Sequence, residues 1–129
     1  EFDEILAQSD ILSIHAPLNQ NTENLMNKAA FEKMKNSAIL INVGRGPIVN
    51  DEDLVAALNE NQIAAAGLDV LTKEPVEADN PLNSVKDSTK LIVTPHIAWA
   101  TVEARTRLMD EVYENIKAFT EGKVRNVVG

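Results

Sequence analysis

Four short apolar runs punctuate the chain: ILSIHA at 11–16, AILINV at 38–43, IAAAGLDV at 63–70 and LIV at 91–93. Each is bounded by polar or turn-forming residues, and each is mostly apolar on both faces, the pattern of strands covered on both sides of a parallel sheet. Helical spacing fills the intervals. Phe2, Ile5 and Leu6 repeat at that spacing in the opening segment. NKAAFEKMK puts Phe31 and Met34 on one face, with lysines near its end, where cations suit the helix dipole. NDEDLVAALNEN offers Asn50 as an N-cap, acids in the first turn, and Leu54, Val55 and Leu58 as an inward stripe. A longer helix is predicted from about Val102 to Thr120, capped by Thr101 and stopped by Gly122, with Ala104, Leu108, Met109, Val112, Ile116 and Phe119 as its apolar seam.

Strands alternating with crossover helices predict an α/β fold with a parallel sheet and right-handed connections. The alternation breaks at 71–90, LTKEPVEADNPLNSVKDSTK, where Pro75, Pro81 and many polar residues predict a long loop. Loops of that length inside compact domains tend to be functional. No internal repeat or low-complexity tract interrupts the pattern.

Composition narrows the function classes. At 129 residues and 44% apolar content the chain supports one domain that buries about two thirds of its unfolded surface. Twelve basic against twenty acidic residues give a net charge of -8, with the acids spread out rather than gathered in a tail. Such a surface repels phosphate backbones and anionic lipid, which argues against nucleic-acid and membrane partners. No apolar run approaches the roughly 20 residues needed to span a bilayer, and no targeting segment is visible. The absence of cysteine excludes disulfides, thiol nucleophiles and thiolate metal sites, and suits a reducing cytoplasm. The chain opens EFDEILAQSD, without methionine and already in a helical pattern, so it reads as part of something longer.

In an open parallel sheet, ligands collect beyond the carboxyl ends of the strands. The first strand delivers His15, Ala16 and Pro17 there, the second Val43, Gly44, Arg45 and Gly46, the third Asp69, followed by Glu74 in the loop, and the fourth Pro95 and His96. Two histidines, an arginine and two carboxylates thus converge on one edge. Singly, each has a plain structural explanation: a solvated turn arginine, a loop carboxylate, a half-buried histidine, a strand-capping His15, a turn-forming Asp69, a core tryptophan at 99. Together they are harder to dismiss, because the opposite strand ends carry only Asn and Gln turns. Arg45 lies between Gly44 and Gly46, which permit positive φ and close approach of backbone to a ligand, and an arginine fork grips a carboxylate with two hydrogen bonds.

The segments ILSIHAPLNQNTENLMN, KNSAILINVGRGPIVNDEDLVAALNENQIAAAGLDVLTKEP and NPLNSVKDSTKLIVTPHIAWAT resemble, in order and over nearly the whole chain, the NAD(P)-dependent D-isomer-specific 2-hydroxyacid dehydrogenases. PHIAWAT followed by ARTRLMDEVYENIKAFTEGKVRNVV is most similar to the glycerate dehydrogenases, also called hydroxypyruvate reductases. The resemblance implies the second half of a Rossmann-type doubly wound parallel sheet. Residues 1–129 would form the C-terminal part of the NAD(P)-binding domain, with about 103–129 a closing helix and tail toward a separate substrate domain. It implies hydride transfer between NAD(P)H and a small 2-keto acid, with hydroxypyruvate or glyoxylate giving D-glycerate or glycolate, in a cytoplasmic homodimer.

By position, the resemblance makes Arg45 the holder of the substrate carboxylate, His96 the general acid in reduction, and Glu74 the hydrogen-bond partner of the imidazole. It assigns Asp69 to the nicotinamide side of the cofactor. Val43, Gly44, Ala98 and Trp99 would line the cleft, and His15, Ala16, Pro17 and Thr22 would face other parts of the cofactor. These roles require imidazole, guanidinium and loop carboxylate to face one shared cavity. Asn19 departs from the threonine usual in the family, and Val43-Gly44 from a common Thr-Ala pair. With glycine only at 44, 46, 67, 122 and 129, the chain has no G-x-G-x-x-G fingerprint, and the residue that would select NAD over NADP falls outside it. The competing readings are an NAD-sensing, corepressor-like binding module of the same fold, and a bare α/β packing unit that leaves the strand-end cluster without a purpose.

Overall fold

The computed structural model describes residues 1–128, in two compact units that divide after His96. In the first unit, α1 (Phe2–Gln8), α2 (Lys28–Phe31) and α3 (Asp51–Asn59) accompany four strands, β1 (Ile11–Ile14), β2 (Ile39–Asn42), β3 (Ala65–Leu68) and β4 (Leu91–Val93). All neighbouring strands pair in parallel in the order β1-β2-β3-β4.

That order explains which face is covered. When each strand lies beside its predecessor and every crossover is right-handed, all the crossovers fall on one side of the sheet. Leu40, Ala66, Leu68 and Ile14 turn to that side and are buried with Phe31, Leu54, Leu58 and Ile63 in one core cluster. Each fully buried side chain of this kind contributes about 1.5–3 kcal/mol of transfer free energy. The opposite face, led by Ile11 (62% exposed), Ile39 and Ile92 (67% exposed), is open. The expectation of strands covered on both faces is therefore corrected: the apolar runs are two-sided, but the sequential strand order places cover on one side only.

Local signals set the helix ends. The Asn50 side chain accepts from the Asp53 N–H, and three acids occupy the first turn of α3. Asn27 caps α2 in the same way through the Ala30 N–H. The helix predicted across NKAAFEKMK is only four residues long in α2, although Phe31 and Met34 are both buried as their spacing requires. The 71–90 segment is a loop that contains two short 3-10 turns, Pro81–Ser84 and Ser88–Lys90, each opened by an Asn or Asp cap.

The second unit contains α4 (Val102–Thr120), capped by Thr101 through the Ala104 N–H. Gly122 follows it in the left-handed region at φ 68°. Its apolar seam is legible in the sequence yet mostly unburied: Leu108, Met109, Ile116 and Phe119 are all more than half exposed, and only Ala118 is buried.

Candidate functional site

Two polar constructions stand at the carboxyl edge of the sheet. The first is the turn that follows β2. Asn42 occupies the last strand position on the covered face and is fully buried. Its Oδ1 accepts from the Gly44 N–H at 3.0 Å, and its Nδ2 donates to the Arg45 carbonyl at 2.9 Å, so one amide closes the turn at both ends. Arg45 is exposed, and its Nη1 donates to the Gly44 carbonyl at 2.8 Å. The flanking glycines do not adopt positive φ. What they allow is close packing of chain on chain. A Cβ on Gly44 would lie 3.0 Å from the Ala16 carbonyl, and one on Gly46 would lie 2.0 Å from the Leu71 carbonyl carbon and oxygen. The expectation that these glycines admit a ligand is thus corrected for Gly46, whose neighbour is the loop leaving β3.

The second construction joins the ends of β3 and β4. Asp69 is 6% exposed, and its Oδ1 accepts from the Thr94 hydroxyl at 2.5 Å. Thr94 also donates its N–H to Leu68 and accepts the His96 N–H at 3.0 Å, forming a three-residue turn about Pro95. The fixed φ of proline, near -65°, suits such a turn, and its missing N–H ends the ladder. His96 itself sits at φ 54°, a left-handed conformation that histidine tolerates better than most residues. Its Nδ1 lies 2.9 Å from Glu74 Oε2, while Glu74 Oε1 accepts the Leu71 N–H at 2.9 Å. An ionised carboxylate only accepts, so Nδ1 carries the proton in this pair and Nε2 is the nitrogen through which the ring exchanges its other proton.

These bonds hold the Glu74 carboxyl below its ordinary value of 4.5, the Leu71 N–H being the larger cause and the His96 hydrogen bond the next. A depressed carboxylate stabilises the fold above its ordinary titration range, and that contribution is lost as pH falls through the lowered value. The Tm difference between wild type and Glu74→Gln is therefore expected to be present at neutral pH and to close as pH drops below about 4.5. A difference that persists unchanged at pH 3 would show that the charge is not what ties the loop.

The candidate residues divide between two clefts. Glu74, His96 and Asp69 line one of about 400 Å³, with Leu71, Val76 and Thr94. His15, Ala16, Pro17, Val43, Gly44 and Arg45 line another of about 480 Å³. The expectation of one cavity shared by guanidinium, imidazole and carboxylate is not met. β3 lies between β2 and β4, so Arg45 and His96 leave the sheet two strands apart, about 10 Å at ordinary strand spacing. The guanidinium, moreover, is folded back on its own turn. Thr22 stands apart from both clefts: its hydroxyl donates to the Pro17 carbonyl and accepts the Asn19 N–H, which closes the loop after β1. Ser13 Oγ and His15 Nε2 lie 2.9 Å apart. Ala98 and Trp99 belong to the second unit, where Trp99 and the α4 residues Val102, Arg105, Leu108 and Met109 line a cleft of about 540 Å³.

Sequence reasoning missed Asn42 and Thr94. The available signal for Asn42 was a lone polar residue on the Leu40 face of an otherwise apolar run, immediately before a glycine-rich turn.

The family model for the NAD binding domain of D-isomer specific 2-hydroxyacid dehydrogenases matches residues 1–98. The chain belongs to that family. A hydroxypyruvate reductase of Blautia hydrogenotrophica is 48% identical over 128 residues, covering 99% of this chain and 39% of the relative. The crystal structure of D-lactate dehydrogenase with NAD+ from Lactobacillus jensenii superposes with a TM-score of 0.86 at 34% identity, covering 100% of this chain and 42% of that one. A D-isomer specific 2-hydroxyacid dehydrogenase from Xanthobacter autotrophicus, in complex with NADPH and MES, gives 0.80 at 34% identity, covering 97% and 50%. This chain thus spans half or less of the length of these relatives.

The residues of this chain fit a nicotinamide cofactor on two counts. Gly44 lacks the Cβ that would crowd Ala16, which keeps the ends of β1 and β2 close around the 480 Å³ cleft. Asp69 brings a buried carboxylate, rich in acceptor positions for amide donors, to the wall of the other cleft.

Proposed function

We propose that the complete protein reduces a small 2-keto acid, hydroxypyruvate or glyoxylate, to D-glycerate or glycolate with NADH or NADPH. Within it, residues 1–129 form the second half of the cofactor domain, from about 103 the closing helix and tail. The observation that carries this reading is the His96–Glu74 pair at 2.9 Å, with Asp69 in the same cleft. When bound, the reduced nicotinamide supplies a hydride. The residues proposed to hold it are His15, Ala16, Pro17, Thr22, Val43, Gly44, Asp69, Ala98 and Trp99.

The alkoxide that forms at the former keto carbon needs a proton, and His96 Nε2 is placed on the ring to give it while Glu74 fixes Nδ1. In the reverse direction the neutral ring takes that proton back. Arg45 is to grip the substrate carboxylate. To do so it must exchange its bond to the Gly44 carbonyl for the carboxylate oxygens, a trade of one hydrogen bond for two charge-assisted ones, and turn out of its own cleft toward the one that His96 lines. Arg45→Lys is expected to raise KM for the keto acid about tenfold or more and to lower kcat, because a point charge does not replace a bidentate fork. Steady-state kinetics with the keto acid varied at saturating NADH measures both.

The net charge of -8 and the absence of cysteine support a cytoplasmic protein without nucleic-acid or membrane partners. The exposed seam of α4 supports its reading as the closing helix toward a substrate domain, and the homodimeric state proposed for the complete protein is checked by light scattering. The function itself is tested by absorbance at 340 nm with hydroxypyruvate, glyoxylate or pyruvate and either cofactor. No oxidation with any 2-keto acid, alongside retained NADH binding, would replace this reading with a cofactor-sensing binding module.

A further inference from the structure

We propose that Asn42 is the positioning residue for Arg45: its buried carboxamide sets the turn that aims the guanidinium. The proposal rests on the reading of Arg45 as the carboxylate-binding residue. Asn42 is fully buried, and both ends of its amide are spent on the same turn, Oδ1 on the Gly44 N–H and Nδ2 on the Arg45 carbonyl. Its main-chain carbonyl accepts the Asp69 N–H, which ties the turn to the end of β3. An aliphatic residue here would fill the core equally well but leave the buried Gly44 N–H without its acceptor and the Arg45 carbonyl with the Ile48 N–H alone, and the turn would open to find water. Among charged groups on adjoining segments, Arg45 lies three residues on, and Asp69 closes the next strand.

The chemistry requires one acceptor and one donor in a fixed geometry. A neutral carboxylic acid has both, and a carboxylate has only acceptors. Asn42→Asp therefore separates the hydrogen-bonding role from packing. Burial favours its neutral form at low pH, and in that form the variant reproduces the native bonds. On ionisation it loses the donor and places a charge against the Arg45 carbonyl.

The experiment uses the complete protein and glyoxylate as substrate. Asn42→Ala is expected to raise KM for glyoxylate about tenfold or more at every pH, the loss of a buried hydrogen-bonded pair. Asn42→Asp is expected to match wild type at the acid end of the assay range and to fall about tenfold or more below it as pH rises. Hydrogen exchange of the peptide spanning residues 43–47, corrected for intrinsic rate, is expected to accelerate over the same pH interval in Asn42→Asp and not in wild type. An Asn42→Asp variant that tracks wild type throughout, or that tracks Asn42→Ala throughout, overturns the proposal. Wild type without keto-acid reduction would instead overturn the proposed function, and the exchange experiment would still decide whether Asn42 sets the turn.

Discussion

His96→Asn is expected to lower kcat for keto-acid reduction by about 10²–10⁴-fold, the range associated with loss of a positioned general acid. Asparagine is the informative replacement because of the backbone. At φ 54°, alanine would add a conformational cost of about 1–2 kcal/mol, whereas asparagine is among the residues that visit this region readily. The asparagine amide is also short enough to stand where Nδ1 stands, with an N–H to offer Glu74. What it lacks is a second nitrogen that gives and takes a proton. The Tm and the affinity for NADH are thus expected to change little while kcat collapses. Steady-state kinetics and a thermal melt on the same preparation measure the three quantities. A variant that retains more than about a tenth of wild-type kcat would remove His96 from the proton path.

How far the site was legible depends on the kind of signal. The four strands announced themselves because apolar runs bounded by turn residues have few other uses, and the observed strands fall within the predicted runs, losing two to four residues in three of them. The Thr101 and Asn50 caps were equally visible, since each is a local bond between a side chain and backbone three residues away, and so was the Gly122 stop, a left-handed position that favours glycine. The pairing of Glu74 with His96 came from the family resemblance, and the bond at 2.9 Å joins residues 22 apart that no local rule connects. Asn42 and Thr94 were missed because a polar residue inside or beside an apolar strand carries no mark of its partners; only the turn geometry shows that both ends of the amide are used. The direction of the Arg45 guanidinium was not legible for a different reason. Its strand end was right, but reach and direction depend on a flexible side chain with a carbonyl at hand one residue before it.

The same edge shows how the two clefts are mechanically joined. Gly46 packs beneath Leu71, the Leu71 N–H anchors Glu74, and Glu74 holds the imidazole. Asn42 holds the arginine turn and, through its carbonyl, the start of the Asp69 segment. The arginine turn and the histidine loop are therefore two ends of one braced backbone structure, although they are lined by separate cavities.

That brace makes Gly46 the position where one methyl group should do the most structural damage. A Cβ there would lie 2.0 Å from the Leu71 carbonyl atoms and 2.4 Å from the Thr72 nitrogen. Backbone atoms cannot swing aside as a flexible side chain can, so either the Arg45 turn or the Leu71–Glu74 loop must move. Gly46→Ala is expected to cost at least the 1–3 kcal/mol or so ordinary for overpacking, and to reduce activity further by displacing Glu74 from His96. The matched control is Gly67→Ala in the middle of β3, where an added Cβ meets nothing within 4 Å. There the loss of glycine's freedom in the unfolded chain is expected to leave stability unchanged or raised by about 0.4–1 kcal/mol. Thermal unfolding of the two variants measures the contrast directly. Equal melting temperatures would mean that the loop yields freely around Gly46, and the brace between the arginine turn and the histidine would then have no mechanical content.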